Sequence, residues 1–290
     1  MEQTNFNRDF ASISPSARWL LLVKGYTNIP FAREAAELME FPNKYTPDFT
    51  KRDFAFWAVV YHFEYRYLSI DHLLKDLNIK NILELSSGYS FRSLAYAKQK
   101  GVYYIDTDLP EVIAFKKDFV ENLKRDRLDI EGQMELIPLN VLDKTNFHEI
   151  INHFPQGEVI IVNEGLLTYL DKQEKEKLCS IIHEVLIERG GYWITADIYL
   201  KNRQPGLGNK FGEKIKKFHE QHDTEGNSFE SFKEAETFFK DMGFVIDKEA
   251  KIKHSEMSSF KYLMKSLSVR QLFKFAGKGK PQATWRLKAI

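Results

Sequence analysis

The sequence predicts an α/β protein: a doubly wound, mainly parallel seven-stranded sheet preceded by a helical cap. Two observations carry this reading. From residue 81 onward short β-rich runs alternate with longer helical patterns, and those runs are continuously apolar. Strands buried on both faces look like unbroken apolar runs, and alternation with helices implies right-handed βαβ units. A third observation sets the cap apart, because residues 1–75 hold helical patterns and no convincing strand.

Taken in order, the cap contains "FAREAAELME" and "FAFWAVVYHFEYRYLSIDHLL", both with helical spacing. The domain expected over 76–290 starts with the strand "NILEL" (81–85) and a helix near 91–99. "VYYID" (102–106) and a helix from 110 to 124 follow, then "MELIPL" (134–139) and a helix near 145–153. "EVIIVNE" (158–164) precedes a charged amphipathic helix over 172–188, and "GYWITADIYL" (191–200) is the fifth strand. Residues 201–228 form a long polar insertion at the position where lids over sites are common. "GFVIDKEA" and, after an intervening helix, "QATWRLKAI" complete the set; a strand after the last helix suggests an added antiparallel edge.

Composition narrows the function. The chain has 290 residues, 42 Lys plus Arg against 41 Asp plus Glu, and a formal charge of +1, so no global field favours nucleic acid or an acidic membrane. A small-molecule partner fits better. Cys179 is the single cysteine, which excludes an intramolecular disulfide; its helical setting suggests an inert thiol, and no Cys/His spacing predicts a metal. The N-terminus lacks a basic segment followed by an apolar core, and no run of 18 apolar residues occurs, so a soluble cytoplasmic protein is expected.

The stretch "ELSSGYS" after the first strand stands where an open α/β sheet binds its ligand. A dinucleotide loop needs G-x-G-x-x-G so that backbone amides approach a pyrophosphate, yet Ser86, Gly88 and Phe91 hold the comparable positions. No G-K-[ST] follows, which excludes a P-loop. S-adenosylmethionine carries no phosphate and asks less of the turn: close passage past the backbone, and an acid after the second strand for the ribose hydroxyls. The methyltransferase pattern E-x-G-x-G-x-G becomes Glu84-x-Ser86-x-Gly88-x-Ser90 here, with serine strained wherever φ is positive. Asp106 and Asp108 stand at the ribose position; "DTDLPEV" also reads as a helix start, and both readings can hold together.

"ILELSSGYSFRSLAYA", "YIDTDLPEVIAFKK", "IPLNVLD" and "VNEGLLTYL" together resemble successive motifs of the leucine carboxyl methyltransferase superfamily, including bacterial O-methyltransferases grouped with polyketide biosynthesis. "SISPSARW" and "RYLSIDHLL" resemble that family's N-terminal extension, so the resemblance spans roughly residues 12 to 200. Its most specific parts are D-x-P-x-V-x-x-x-K and E-G-L-x-x-Y-L. The resemblance implies a Rossmann-like methyltransferase sheet binding S-adenosylmethionine. It also implies roles: Arg66 for the cofactor carboxylate, Ser86 and Gly88 in the turn, and Asp108 at the ribose beside a usually acidic Asp106. Asn140 and Val141 stand in place of an Asp-Leu pair beside the adenine, and Glu164 faces the cofactor and its cationic end. Ser86 and Asn140 depart from the family residues.

The implied reaction is methyl transfer to a carboxyl or hydroxyl oxygen of a small-to-medium acceptor. A carboxylate needs no general base, whereas a hydroxyl does. No base stands out. Tyr169, Tyr199 and Arg203 near the strand ends, and His219 and His222 in the insertion, are the candidates; Tyr26 and Arg18 of the cap could reach the same space. The aromatic cap reads as core packing before it reads as a pocket. Two other functions compete: a methyltransferase-fold binding protein without catalysis, and an NAD-dependent reductase, which the missing glycines disfavour. The acceptor and the oligomeric state are left open.

Overall fold

The structure, a computed structural model, describes residues 14–39, 46, 48–50, 52–124, 129–201, 226–268 and 280–290. Seven strands form one sheet: β1 Asn81–Leu85, β2 Tyr103–Asp108, β3 Gln133–Pro138, β4 Val159–Asn163, β5 Gly191–Tyr199, β6 Phe244–Glu249 and β7 Gln282–Ala289. Their order is β3-β2-β1-β4-β5-β7-β6. β1 to β5 are parallel, and β7 runs antiparallel to both its neighbours. The antiparallel strand is the last one, as its position after the last helix implies, but it is inserted one place in from the edge and β6 takes the edge. Chain order reverses at β1, so the space beyond the carboxyl ends of β1, β2 and β4 is the topological switch point.

Alternation along the strands divides the core. Leu83, Leu85, Ile105, Ile161 and Trp193 point to the layer holding α6 Lys144–Ile151, α7 Lys172–Arg189 and α8 Phe232–Asp241. Ile82, Tyr104, Ile160, Val162 and Ile194 point to the other layer, where Ile70, Leu73 and Leu74 of α3 Phe54–Lys75 cover them. Period-two geometry therefore also aims Glu84 and Asp106, in register on β1 and β2, beneath α3.

Helix boundaries follow local chemistry. Asp53 caps α3 by accepting from the Phe56 amide at 2.9 Å, and Asp171 with Glu174 closes a reciprocal capping box on α7. α7 ends at Gly190 and Gly191, both at positive φ. A Cβ on Gly191 would stand 2.0 Å from the Val159 carbonyl oxygen, inside the β4–β5 pairing. Gly191→Ala is expected to destabilise the protein by about 3 kcal/mol or more, from left-handed backbone strain plus an unavoidable clash. Equilibrium urea unfolding checks this.

Before β1 lie α1 Ser14–Lys24, α2 Ala32–Leu38 and α3, with α4 Arg92–Tyr96 and α5 Pro110–Lys124 flanking β2. Leu21, Ala35 and Ala36 pack on Tyr89, Phe91, Leu94, Val120 and Leu123, so α1 and α2 sit over the turn that follows β1. Tyr26, Trp57 and Val60 pack with Leu263 of α9 Phe260–Ser266, and the Tyr26 hydroxyl accepts from Arg52 at 2.8 Å. The cap aromatics are core, and Tyr26 is buried among Phe49, Phe56 and Trp57. Cys179 is buried on α7, where burial pushes its thiol pKa up. Among the described residues no helix is long and apolar enough to cross a membrane, and no cluster of His, Cys, Asp and Glu could hold a metal ion.

Candidate functional site

At the switch point the chain turns sharply after β1. Ser86 adopts φ 49° and Gly88 φ 50°, so two left-handed residues flank Ser87. The strain foreseen for serine at this turn is present, and the backbone takes a shape that glycine adopts more easily. Ala17 of α1 lies over the turn, 3.5 Å from where a Cβ on Gly88 would stand. Asp108, at the end of β2, accepts from the Gly88 amide at 2.7 Å through Oδ2 and from the Leu109 amide at 2.7 Å through Oδ1. Each oxygen keeps a lone pair for a further donor. Burial raises the Asp108 pKa against the pull of these two amides.

Asp106 differs. It is fully buried beneath the turn, its Oδ2 accepting from Ser93 Oγ at 2.5 Å and pairing with Lys116 Nζ at 2.9 Å. Burial pushes its pKa up to about 6, opposed by Lys116. Glu84 is buried too: Oε1 accepts from Arg92 Nη1 at 2.6 Å and Oε2 from the Tyr104 hydroxyl at 2.6 Å. Both acids support the turn from below, whereas Asp108 stands at its rim.

Glu164, one residue past β4, is the hub of a buried ionic network. Its Oε1 accepts from Lys24 Nζ at 2.6 Å and Arg66 Nε at 3.2 Å, and its Oε2 from Arg92 Nη2 at 3.3 Å. Burial alone would raise the Glu164 pKa; Lys24, Arg66 and Arg92 together outweigh it and hold the carboxyl far below the usual range. Arg92, fully buried, also donates to Asp71 at 2.8 Å and stacks over the Tyr67 ring at 4.0 Å. Glu84 and Asp71 also pair with Arg92, so three cations, Lys24, Arg66 and Arg92, meet three carboxylates, and Lys24 and Arg66 both bond Glu164. Burial lowers the Lys24 pKa, with Glu164 opposing.

The turn carrying Glu164 is held from β5. The β5–β7 register shifts between Thr195 and Ile198, and Asp197 sits in that bulge. Bulges re-aim side chains. Here the Asp197 carboxylate accepts from the amides of Gly165 (2.7 Å), Leu166 (2.7 Å) and Leu167 (3.1 Å) and from Asn163 Nδ2 (2.6 Å). Trp193 Nε1 donates to Asn163 Oδ1 at 2.7 Å and completes the clamp. Tyr199, at the end of β5, accepts from Arg66 Nη1 at 3.1 Å, and its hydroxyl is 2.7 Å from His62 Nε2. Burial pushes the Tyr199 pKa up to about 12 despite Arg66.

Of the residues singled out in the sequence, the structure brings Arg66, Glu164 and Tyr199 into one bonded group and puts Ser86, Gly88 and Asp108 in the adjacent turn. Asn140 is exposed after β3, its Oδ1 accepting from the Leu142 amide at 3.0 Å, and Val141 beside it is buried. Tyr169 lies in the short helical turn Leu167–Tyr169. Arg18 stacks over Phe115 at 4.9 Å. Arg203, His219, His222 and most of the 201–228 insertion lie outside the described residues. Sequence reasoning missed Lys24, Arg92, Asp197 and His62. Each reads locally as an ordinary helix or strand residue, and only "NEGLL" hinted that something must satisfy its backbone amides.

The fold resembles solved methyltransferases. Magnesium protoporphyrin IX methyltransferase (ChlM) from Synechocystis PCC 6803, solved with bound SAH, is 10% identical, with 93% of this chain and 99% of that chain covered at a TM-score of 0.50. An O-methyltransferase family protein from Burkholderia thailandensis is 12% identical (81% of this chain, 59% of that chain, TM-score 0.46), and PigF with SAH 14% (79%, 66%, 0.45). This chain thus spans about three fifths to two thirds of those two proteins. No curated protein matches. The leucine carboxyl methyltransferase model matches residues 15–183, more than half of the chain, from α1 through most of α7, a stretch that includes Lys24, Arg66, the turn after β1, Asp108 and Glu164, so the chain belongs to the leucine carboxyl methyltransferase family.

Proposed function

We propose that the protein is an S-adenosylmethionine-dependent O-methyltransferase acting on a small-to-medium acceptor. The observation that carries this reading is the Lys24–Arg66 pair sharing Glu164 beside the Asp108–Gly88 turn. The Lys24 ammonium and the Arg66 guanidinium are donors suited to a ligand carboxylate, and the Glu164 carboxylate beside them favours a cationic centre. Asp108 retains acceptor capacity for ribose hydroxyls at the end of β2, and the turn presents only a glycine and serines. A zwitterionic amino-acid tail joined to a nucleoside fits this donor set; a pyrophosphate does not. Bound S-adenosylmethionine supplies a methyl group already activated by its sulfonium, so the protein's task is alignment and exclusion of water.

Tyr199 and His62 favour a hydroxyl acceptor over a carboxylate. A hydroxyl must lose its proton as its oxygen is methylated, and the Tyr199 oxygen can take that proton while its own passes to His62 Nε2 across 2.7 Å. Arg66 on the same oxygen stabilises the intermediate phenolate. Calorimetry with S-adenosylmethionine and S-adenosylhomocysteine tests the cofactor, and label transfer from methyl-tritiated cofactor to a panel of phenols, alcohols and carboxylic acids tests the acceptor. Absence of binding heat with both ligands would leave a binding module on a methyltransferase fold. Tyr199→Phe is expected to lower kcat on a hydroxyl acceptor roughly a hundredfold while leaving S-adenosylhomocysteine affinity unchanged. An unchanged kcat would remove Tyr199 from the chemistry.

A further inference from the structure

The D-x-P-x-V-x-x-x-K stretch ends in Lys116, a lysine with no exposed surface. Its ammonium pairs with Asp106 at 2.9 Å and donates to Ser87 Oγ at 2.9 Å. A lysine loses hydration when buried, so its place here requires an acid to balance it and a geometry worth holding. Ser87 is the residue between left-handed Ser86 and Gly88. Its amide donates to the Thr107 carbonyl at 2.9 Å, and its own carbonyl accepts from Ser90 at 2.9 Å. Left-handed conformations at residues other than glycine persist only where the surroundings over-determine them. Thr107 and Ser90 hold the Ser87 backbone, and Lys116 holds its side chain.

We propose that Lys116, anchored by Asp106, is a positioning residue that locks Ser87 and so keeps the Ser86–Gly88 turn in its ligand-binding shape. This rests on the cofactor reading above. Ser86 is then a tolerated replacement for glycine, because strain that glycine would not feel is carried by a side-chain tether below the turn. Glu84, the other acid near Asp106, is engaged by Arg92 and Tyr104, and Ser93 takes the same Asp106 oxygen as Lys116. Lys116 is thus the one cation that Asp106 meets among the described residues.

The test is S-adenosylhomocysteine binding by calorimetry on the full chain, with thermal unfolding in parallel. Ser87→Ala removes the tether and leaves the Lys116–Asp106 pair intact. It is expected to weaken binding roughly tenfold, the scale of a lost hydrogen bond to a charged group, with little change in Tm. Adding Ser86→Gly to Ser87→Ala should restore most of the affinity, since glycine adopts the turn without restraint; a merely structural role for the tether predicts no such rescue. Lys116→Met combined with Asp106→Asn, which removes both charges together, should weaken binding to a similar extent. Wild-type affinity in Ser87→Ala, or a loss that Ser86→Gly does not restore, would overturn the proposal. If the wild-type protein itself gives no heat with S-adenosylhomocysteine, the cofactor reading falls and takes this inference with it.

Discussion

Arg92→Met is expected to destabilise the protein by about 3–5 kcal/mol, the scale for leaving buried charges unpaired. The guanidinium is fully buried and reaches Glu84, Asp71, Glu164 and the Tyr67 carbonyl, all within 3.3 Å. Removing it leaves three carboxylates with only Lys24 and Arg66 to answer them. Equilibrium urea unfolding measures the loss, and a change below about 1 kcal/mol would show that the network is not a stabilising unit. Arg33→Ala is the control, because the Arg33–Glu37 pair is about half exposed and lies on one helix, where such pairs contribute a few tenths of a kcal/mol. The pH dependence adds a check. Burial already raises the Asp71 pKa against Arg92, and without the arginine it rises further. A carboxyl whose folded pKa lies above its unfolded value stabilises fully below the unfolded pKa and loses that contribution as pH rises through the folded one. The deficit of Arg92→Met should therefore be smaller near pH 5 than near pH 8.

Asp108→Ala is expected to weaken S-adenosylmethionine binding roughly hundredfold, about 2.7 kcal/mol, combining the loss of the charged acceptor proposed for two ribose hydroxyls with release of the Gly88 amide. Asp108→Asn keeps one acceptor oxygen and should fall between. The fold should survive both changes, because Asp108 is partly exposed at the rim of the turn and belongs to no ion pair of the buried network. Calorimetry with intact far-UV circular dichroism decides. Wild-type affinity in Asp108→Ala would refute the proposed ribose site.

How much of this was legible before folding depends on the range of the interactions involved. β1 to β5 could be read because strands buried on both faces are continuous apolar runs, and the helices because their caps and periodicity are local. The turn at Ser86–Gly88 was legible as a sharp one for the same reason. Asp108 was singled out by its place at the end of the second strand and by likeness to a family, Arg66 and Glu164 by that likeness, and the structure shows Arg66 and Glu164 bonded across 98 positions of sequence. Lys24 was missed because nothing in "LLLVKGY" distinguishes a lysine ending a surface helix from one paired with an acid 140 residues away. Glu84 and Asp106 stand in site motifs, yet strand alternation turns them beneath α3 and α4, where Arg92, Tyr104, Ser93 and Lys116 take their oxygens.

Sequence by itself determined the class of fold, the position of the sharp turn after β1 and the kind of residue at each strand end, because these depend on neighbours a few positions apart. Tertiary structure alone decided which charges meet. A buried ion pair forms only where both partners leave water together, so its members are chosen by the packing of α1, α3 and α4 against β1 and β4. That packing made Glu164 a hub for three cations, set Asp197 in a bulge to hold the Glu164 turn, and placed Lys116 under Ser87, none of which short-range pattern can express.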